Sequence, residues 1–272
     1  MLYPMTSLRQ SLVQFNKSSN REKFSRMLAI EKVSDLARLD VGRNIRKGLP
    51  EIVLAEGKTP TTVAKIVAAM VERTGRAIVS RATRSHYQVI RKTQNSRDYR
   101  TEFFPGAGVI ITKSTSFKPT VTGGRVGILT AGTSDIPVAL EAQIVSIEMG
   151  CETRTFYDVG VAGLHRLFKP LEQLLQWDAD VILVIAGREG ALPTVVTGMV
   201  DVPVIGVPTS KSYGYGEKGV AALAAMLQSC SLGMSVVNID GGIGAGAVGA
   251  LIANRAASQR NRRKTVSKTR TR

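Results

Sequence analysis

Cysteine is scarce in this chain: 272 residues hold two, Cys151 and Cys230. Two cysteines make no disulfide framework, and they fit a reducing compartment where a thiol is either core filler or nucleophile. No apolar run is long enough to span a bilayer, which excludes a helical membrane protein. Histidine is as sparse, with His86 and His165 alone. There is no HExxH, no paired CxxC and no EF-hand loop, so any metal is expected to be Mg²⁺-like, held largely by substrate phosphate and water. No Walker A sequence occurs, which argues against an ordinary nucleotide triphosphatase. Residues 1–28 are basic and Ser/Thr-bearing but lack the long apolar stretch of a secretory signal, and they read as an unstructured leader.

Acid is also missing where base is richest. Residues 1–120 carry 22 Lys+Arg against 9 Asp+Glu, and residues 255–272 carry 8 against none. Residues 121–254 reverse the balance, with 7 against 12. The net charge of +16 therefore belongs to the front half and the tail. A nucleic-acid-binding protein more often spreads base over its folded surface. A nucleic-acid partner is not expected here, beyond contact through a basic, disordered tail over 255–272.

What is present is alternation. In the front part, residues 29–48 show helical spacing at Ile30, Val33, Leu36 and Ala37, followed by a charged segment that includes Asp40 and Arg46. Glu51–Leu54 reads as a short strand, and Thr59 as the N-cap of a helix over 61–74 with Pro60 in its first turn. Ala77–Ser80 and Val109–Ile111 read as strands, and Thr83–Arg100 as a solvated, mobile region. A Ser/Thr/Pro/Gly linker over 112–124 places a domain boundary between 29–115 and 116–254. Beyond it, strands at 126–130, 153–157, 181–185, 204–207 and 234–239 alternate with helices at 136–149, 164–176, 193–199 and 219–228. Short connections between such elements mean a parallel sheet covered on both faces.

Open α/β sheets bind ligands where strands release into loops. The loop Ala131–Gly132–Thr133–Ser134–Asp135 ends one strand and opens a helix. Its small residues let backbone N–H groups meet an anion, or Ser134 or Asp135 simply caps the helix. Glu189, just past a strand end, either steers a cationic ring and moves a proton or pairs with Arg188. His165, beside Arg166, is an acid–base group, a phosphate contact or a surface histidine. Cys230, flanked by Ser229 and Ser231, is either a buried structural thiol or a nucleophile in a polar turn. Asp240, before Gly241, Gly242 and Gly244, binds a metal or ribose or caps a turn. Cys151, after Gly150, is taken as structural.

Several longer strings carry a resemblance. AGTSD, the HR of Gly163–Arg166, and VPVIGVPTS are similar to the aminoimidazole ribonucleotide carboxylase (N5-CAIR mutase) family. YDVGVAGLHR, VIAGREGALPTVVTG, LAAMLQSC and VVNIDGGIGAG resemble more closely the LarB family of nickel-pincer cofactor synthesis, in a match covering about residues 36–250. The resemblance implies an α/β protein: a flavodoxin-like, three-layer parallel-sheet core behind a smaller basic α/β N-terminal domain. It implies a cytoplasmic carboxylase/hydrolase. The substrate would be nicotinic acid adenine dinucleotide, carboxylated with CO2 or bicarbonate and Mg²⁺ to pyridinium-3,5-biscarboxylic acid mononucleotide and AMP. Cys230 would be the covalent nucleophile, Glu189 the steering or proton-transfer acid, and Ser134 and Asp135 the groups around CO2. Substrate contacts would come from Ala131, Gly132, Thr133, His165 and Arg166. Gly187, Arg188, Thr209, Ser210, Tyr213, Gly214 and Asp240 would add to them, with Arg46 and Lys58 of the front domain at the phosphates. A homo-octamer with sites between subunits is expected by analogy. The chain departs from the family pattern at Val41 and Gly42, where a histidine pair is common. The rival readings are a purine-pathway aminoimidazole ribonucleotide carboxylase, and a non-catalytic nucleotide-binding protein with an RNA-associating tail.

Overall fold

The computed structural model describes residues 26–33, 37–94 and 98–270, with the backbone path alone at 217 and 263–270. The expected leader thus lies almost wholly outside the described residues. The chain divides into two compact units, residues up to 102 with 110–117, and residues 103–109 with 118 onward.

In the first unit, β1 (Glu31–Val33) pairs antiparallel with β2 (Ala37–Leu39). The expected helix over 29–48 is therefore two short strands followed by a one-turn α1 (Arg43–Lys47). Ile30, Val33 and Ala37 recur at helical intervals, but three-residue strands are too short for spacing to discriminate. β3 (Ile52–Leu54), β4 (Arg76–Ser80), β5 (Tyr99–Phe104) and β6 (Val109–Ser114) form a sheet of order β3-β4-β6-β5. α2 (Pro60–Thr74) starts where expected: the Thr59 hydroxyl accepts from Thr62 N at 3.2 Å and Pro60 occupies the first turn. Val63, Ile66, Val67, Met70 and Val71 fill its buried face.

The expected mobile region over 83–100 instead holds α3 (Arg84–Thr93) and the start of β5. His86 explains the helix. Its Nδ1 accepts from Thr83 N at 3.1 Å and lies 2.7 Å from the Thr83 hydroxyl, closing a reciprocal cap. Its Nε2 is 3.1 Å from the Lys58 carbonyl, so the buried ring ties α3 to the turn before α2.

The second unit is built on five parallel strands: β7 (Arg125–Thr130), β8 (Glu152–Phe156), β9 (Val181–Ala186), β10 (Val204–Pro208) and β11 (Met234–Val236). Their order is β8-β7-β9-β10-β11 and every pairing is parallel. In strand-sequence terms that order is 2-1-3-4-5, the flavodoxin-like arrangement. All six residues of β9 are buried, as a central strand covered on both faces requires.

One face carries α5 (His165–Gln176), α6 (Ala191–Thr197) and α7 (Val220–Leu227). Leu167, Leu171, Leu174, Leu192, Val196 and Met226 from these helices pack on Leu129, Ile182, Val184 and Val204. The other face carries α4 (Ile136–Glu148) and α8 (Gly242–Arg270), which lie against each other.

One expectation fails at α8, and packing accounts for two of its glycines: a Cβ at Gly242 or Gly246 would strike the Val138 or Ala142 carbonyl of α4. These glycines exist for close helix–helix contact. The expected disordered tail from residue 255 is helical as far as Arg270, and its base is fastened. Ala257 is buried, while Arg260 grips the carboxylate of Asp180 and donates to the Gly123 carbonyl at 2.9 Å.

Candidate functional site

A cleft of about 390 Å³ opens at the carboxyl ends of the parallel strands. The loops after β7, β8 and β9 build it, with Lys211 from the loop after β10. This is the point where the strand order reverses, the place an open α/β sheet leaves a crevice.

Asp135 sits at its floor, 3 % exposed. Its Oδ2 accepts from Gly132 N at 2.9 Å and its Oδ1 from the Thr209 hydroxyl at 2.7 Å. Burial pushes this carboxyl above the ordinary aspartate range, with the two hydrogen bonds acting the other way and the charge of Asp240 adding to the rise. Asp135 thereby clamps the β7 loop to the end of β10 and leaves Ser134, exposed, at the mouth. Gly187 fits here because a Cβ would lie 2.7 Å from the Thr209 hydroxyl.

The walls are charged. Arg166 donates to the Asp158 carboxylate at 2.6 Å, and Asp158 N in turn donates to the buried Thr130 hydroxyl at 3.0 Å. Arg188 and Glu189 stand exposed on the turn after β9, with Arg188 at φ 52°. The cleft thus gathers three cations, Arg166, Arg188 and Lys211, around carboxylates at Asp158 and Glu189. Such a site suits a ligand bearing phosphates and a positively charged or carboxylated ring.

Of the residues named from sequence, Ala131, Gly132, Ser134, Asp135, Arg166, Gly187, Arg188 and Glu189 line this cleft. Thr133 is exposed next to it, and Thr209 is buried beneath it. His165 is exposed at the start of α5 and does not line it. Tyr213 and Gly214 line a neighbouring cavity. Asp240 accepts from Ser210 N at 2.9 Å and from the Ser210 hydroxyl at 2.5 Å, so both hold the loop after β10. In the first unit, Arg46 is committed to the Asp40 carboxylate and the Met27 carbonyl, and Lys58 Nζ donates to the Leu54 carbonyl at 2.7 Å. Asp158, Gly160 and Lys211 were not singled out in sequence. Each lies within four residues of the end of β8 or β10, so strand-end position was the available signal.

Cys230 is exposed, but it does not line the cleft. α7 carries the chain back from the carboxyl edge of the sheet, and Cys230 follows it, four residues before β11 begins. That places the thiol on the return towards the amino edge of the strands. Its neighbours are polar: the Thr194 hydroxyl donates to Ser229 Oγ at 3.0 Å, and Ser231 Oγ donates to the Thr194 carbonyl at 3.1 Å. Cys151 is the buried thiol, 3.1 Å from Asn254 Oδ1. Among the described residues, no three His, Cys, Asp or Glu side chains converge as a metal site.

Comparison with known proteins agrees with the division into two units. Residues 125–272 match the family described as AIR carboxylase, and residues 30–111 match the LarB/PurE-like N-terminal domain. The chain is 44% identical over 234 residues, 85% of its length, to the uncharacterized protein MJ0165 of Methanocaldococcus jannaschii, of which the match covers 90%. It is 32% identical over 92 residues to an N5-carboxyaminoimidazole ribonucleotide mutase of Thermotoga maritima, covering 32% of this chain and 52% of that protein.

Proposed function

We propose, from the premise that this chain belongs to the AIR carboxylase family and carries a LarB/PurE-like N-terminal domain, that it carboxylates the pyridinium ring of nicotinic acid adenine dinucleotide and then splits the phosphoanhydride. The products are pyridinium-3,5-biscarboxylic acid mononucleotide and AMP, and the compartment is the cytoplasm. The observation that carries this reading is the cleft itself. Glu189 offers negative charge to a cationic ring, Arg188 and Lys211 offer positive charge to carboxylate and phosphates, and the Arg166–Asp158 ion pair lies beside them.

The chemistry needs a nucleophile. A pyridinium ring is electron-poor and does not attack CO2. Addition of a thiolate to a ring carbon forms a C–S bond and moves an electron pair onto the ring nitrogen, leaving an enamine. The enamine carbon bonds to CO2. A base takes the proton from that carbon, the pair returns to the ring, the C–S bond breaks and thiolate leaves. In this scheme Ser134 and its loop hold the new carboxylate, and Glu189 steers the ring or takes the proton.

Cys230 is the thiol best suited, being exposed where Cys151 is buried. Burial pushes the Cys151 thiol up to about 11 and disqualifies it. Since Cys230 does not line the cleft of its own chain, it serves the cleft of another copy. The surface around it supports that arrangement. α7 is apolar throughout, yet Val220, Leu227 and the nearby Leu232 are exposed. Apolar surface of this kind is covered in an assembly, and an octamer is the assembly we favour.

Magnesium would accompany the substrate phosphates. Among the described residues no side chains form a cage for it, and Asp135, Asp158 and Asp240 are each engaged by hydroxyl, backbone or guanidinium groups.

The test is incubation of purified protein with nicotinic acid adenine dinucleotide, ¹³C-bicarbonate and Mg²⁺, read by mass spectrometry. Appearance of a doubly carboxylated pyridinium mononucleotide with AMP supports the reading. Turnover of aminoimidazole ribonucleotide in its place would assign the chain to the purine-pathway reaction.

A further inference from the structure

A second cavity, about 360 Å³, adjoins the first, and Arg188 and Glu189 line both. Its other walls come from the loop after β10: Tyr213, Gly214, Tyr215 and Gly216, with Ala221 of α7. Tyr213 is largely exposed and Tyr215 fully so. A large aromatic ring left in water at the rim of a cavity, as that of Tyr215 is, gains little from the fold of the chain alone. Gly214, at φ 79°, turns the chain between them. The guanidinium of Arg188 lies 4.2 Å from the centre of the Tyr213 ring, at the boundary between the two cavities.

Each cavity is near the lower end of the roughly 300–1,000 Å³ of small-molecule clefts, enough for one nucleotide-sized half. A mononucleotide substrate would leave the second one idle. The polar chemistry is in the first cavity and the aromatic surface in the second, with a cation at their junction. We infer that the second cavity seats the aromatic base of a dinucleotide's second half, stacked on Tyr215 and Tyr213, while Arg188 meets the bridging phosphates. Stacking on a tyrosine face accepts a base without reading its edge, and the guanidinium already against Tyr213 can stay sandwiched as the phosphates pair with it. Glu189 lines both cavities, and its charge repels phosphate, which leaves it for the cationic ring of the first half.

This inference rests on the nucleotide reading of the first cleft, but its test separates the two. Full-length protein is titrated by calorimetry with AMP alone, as the probe of the second cavity, and with nicotinic acid mononucleotide, as the probe of the first. AMP binding to the wild type is expected to weaken about tenfold in Tyr215→Ala and to return in Tyr215→Phe, with mononucleotide affinity unmoved. With the dinucleotide as substrate, Tyr215→Ala raises KM by a similar factor and spares kcat. Because the Tyr215 ring is fully exposed, the variant is expected to melt with the wild type, and Tyr213→Ala gives a second reading of AMP affinity. An absence of AMP binding in the wild type, or AMP affinity untouched by both alanine variants, overturns the inference. Tyrosine-dependent AMP binding without any carboxylation would support the base seat and sink the reaction instead.

Discussion

The placement of Cys230 gives a quantitative prediction. Val204–Pro208 of β10 is five residues, and at roughly 3.3 Å per residue the sheet is about 15 Å deep at that strand. Cys230 lies on the return from α7 towards the amino edge, beside Thr194 of α6, and Glu189 lies beyond the carboxyl edge. Bond formation needs the sulfur within about 3–3.5 Å of a ring carbon. Cys230 does not line the cleft of its own chain, so if it is the nucleophile each working site takes its thiol from one copy and its acid from another.

The perturbation is a mixture of two dead proteins. Cys230→Ala keeps the cleft and lacks the nucleophile; Glu189→Gln keeps the nucleophile and has a disabled cleft. Both side chains are exposed, so both variants should fold and assemble. In oligomers formed at random from equal amounts, half the clefts are intact, and half of those face an intact thiol. The mixture should recover about one quarter of wild-type turnover. Coexpression with two different affinity tags, sequential purification and the ¹³C product assay measure this directly. If doubly tagged oligomers are no more active than the two variants summed, the thiol does not cross between copies and the argument is refuted.

Three further outcomes follow from the second unit. Iodoacetamide at about pH 8 should label Cys230 and spare Cys151 in native protein, because burial holds the latter protonated with a value of about 11; peptide mapping reads the ratio. Arg260→Ala strips the buried Asp180 carboxylate of its charged partner, and because the Arg260 side chain is 30% exposed the cost should fall somewhat below that of a fully buried pair, about 2–3 kcal/mol in denaturant unfolding; an unchanged midpoint would mean that α8 is not fastened there. Asp135 holds its proton more tightly folded than unfolded, so its contribution is complete below its ordinary value of 3.8 and is lost as pH rises through the raised one. Asp135→Asn should flatten that part of the stability–pH curve, and a curve of unaltered slope would place the burial elsewhere.

The core was legible because its signals are redundant. Buried runs such as Val181–Ala186 end in glycine turns, and each is followed by a helix whose apolar residues share one face. The front unit was read less well, for two physical reasons. Three-residue strands carry no period, so β1 and β2 passed for a helix. Polar helices such as α3 take their start from a buried cap, and His86 serving as that cap is visible only when Lys58 is brought beside it. The glycines of α8 are ambiguous in sequence. Glycine spacing in sequence is the same whether a phosphate or a neighbouring helix makes the close approach, and here Val138 and Ala142 make it.

Cys230 exposes a rule that sequence already contains. In a parallel sheet every strand-to-helix loop lies at one edge and every helix-to-strand loop at the other. Ser134, Arg166, Glu189 and Lys211 all follow strands, whereas Cys230 follows a helix. Proximity in sequence to Asp240 therefore says nothing about proximity in space to the cleft. A thiol on the return to one edge and an acid at the other meet when unlike surfaces of two copies come together. Such a contact is either isologous, with each copy's thiol reaching the other's acid across a two-fold axis, or heterologous and closed into a ring. Catalysis through Cys230 thus requires closed assembly. A dilution series in which specific turnover falls as oligomers dissociate, while each chain keeps its fold by circular dichroism, is the outcome this demands; a monomer that turns over at full rate would contradict it.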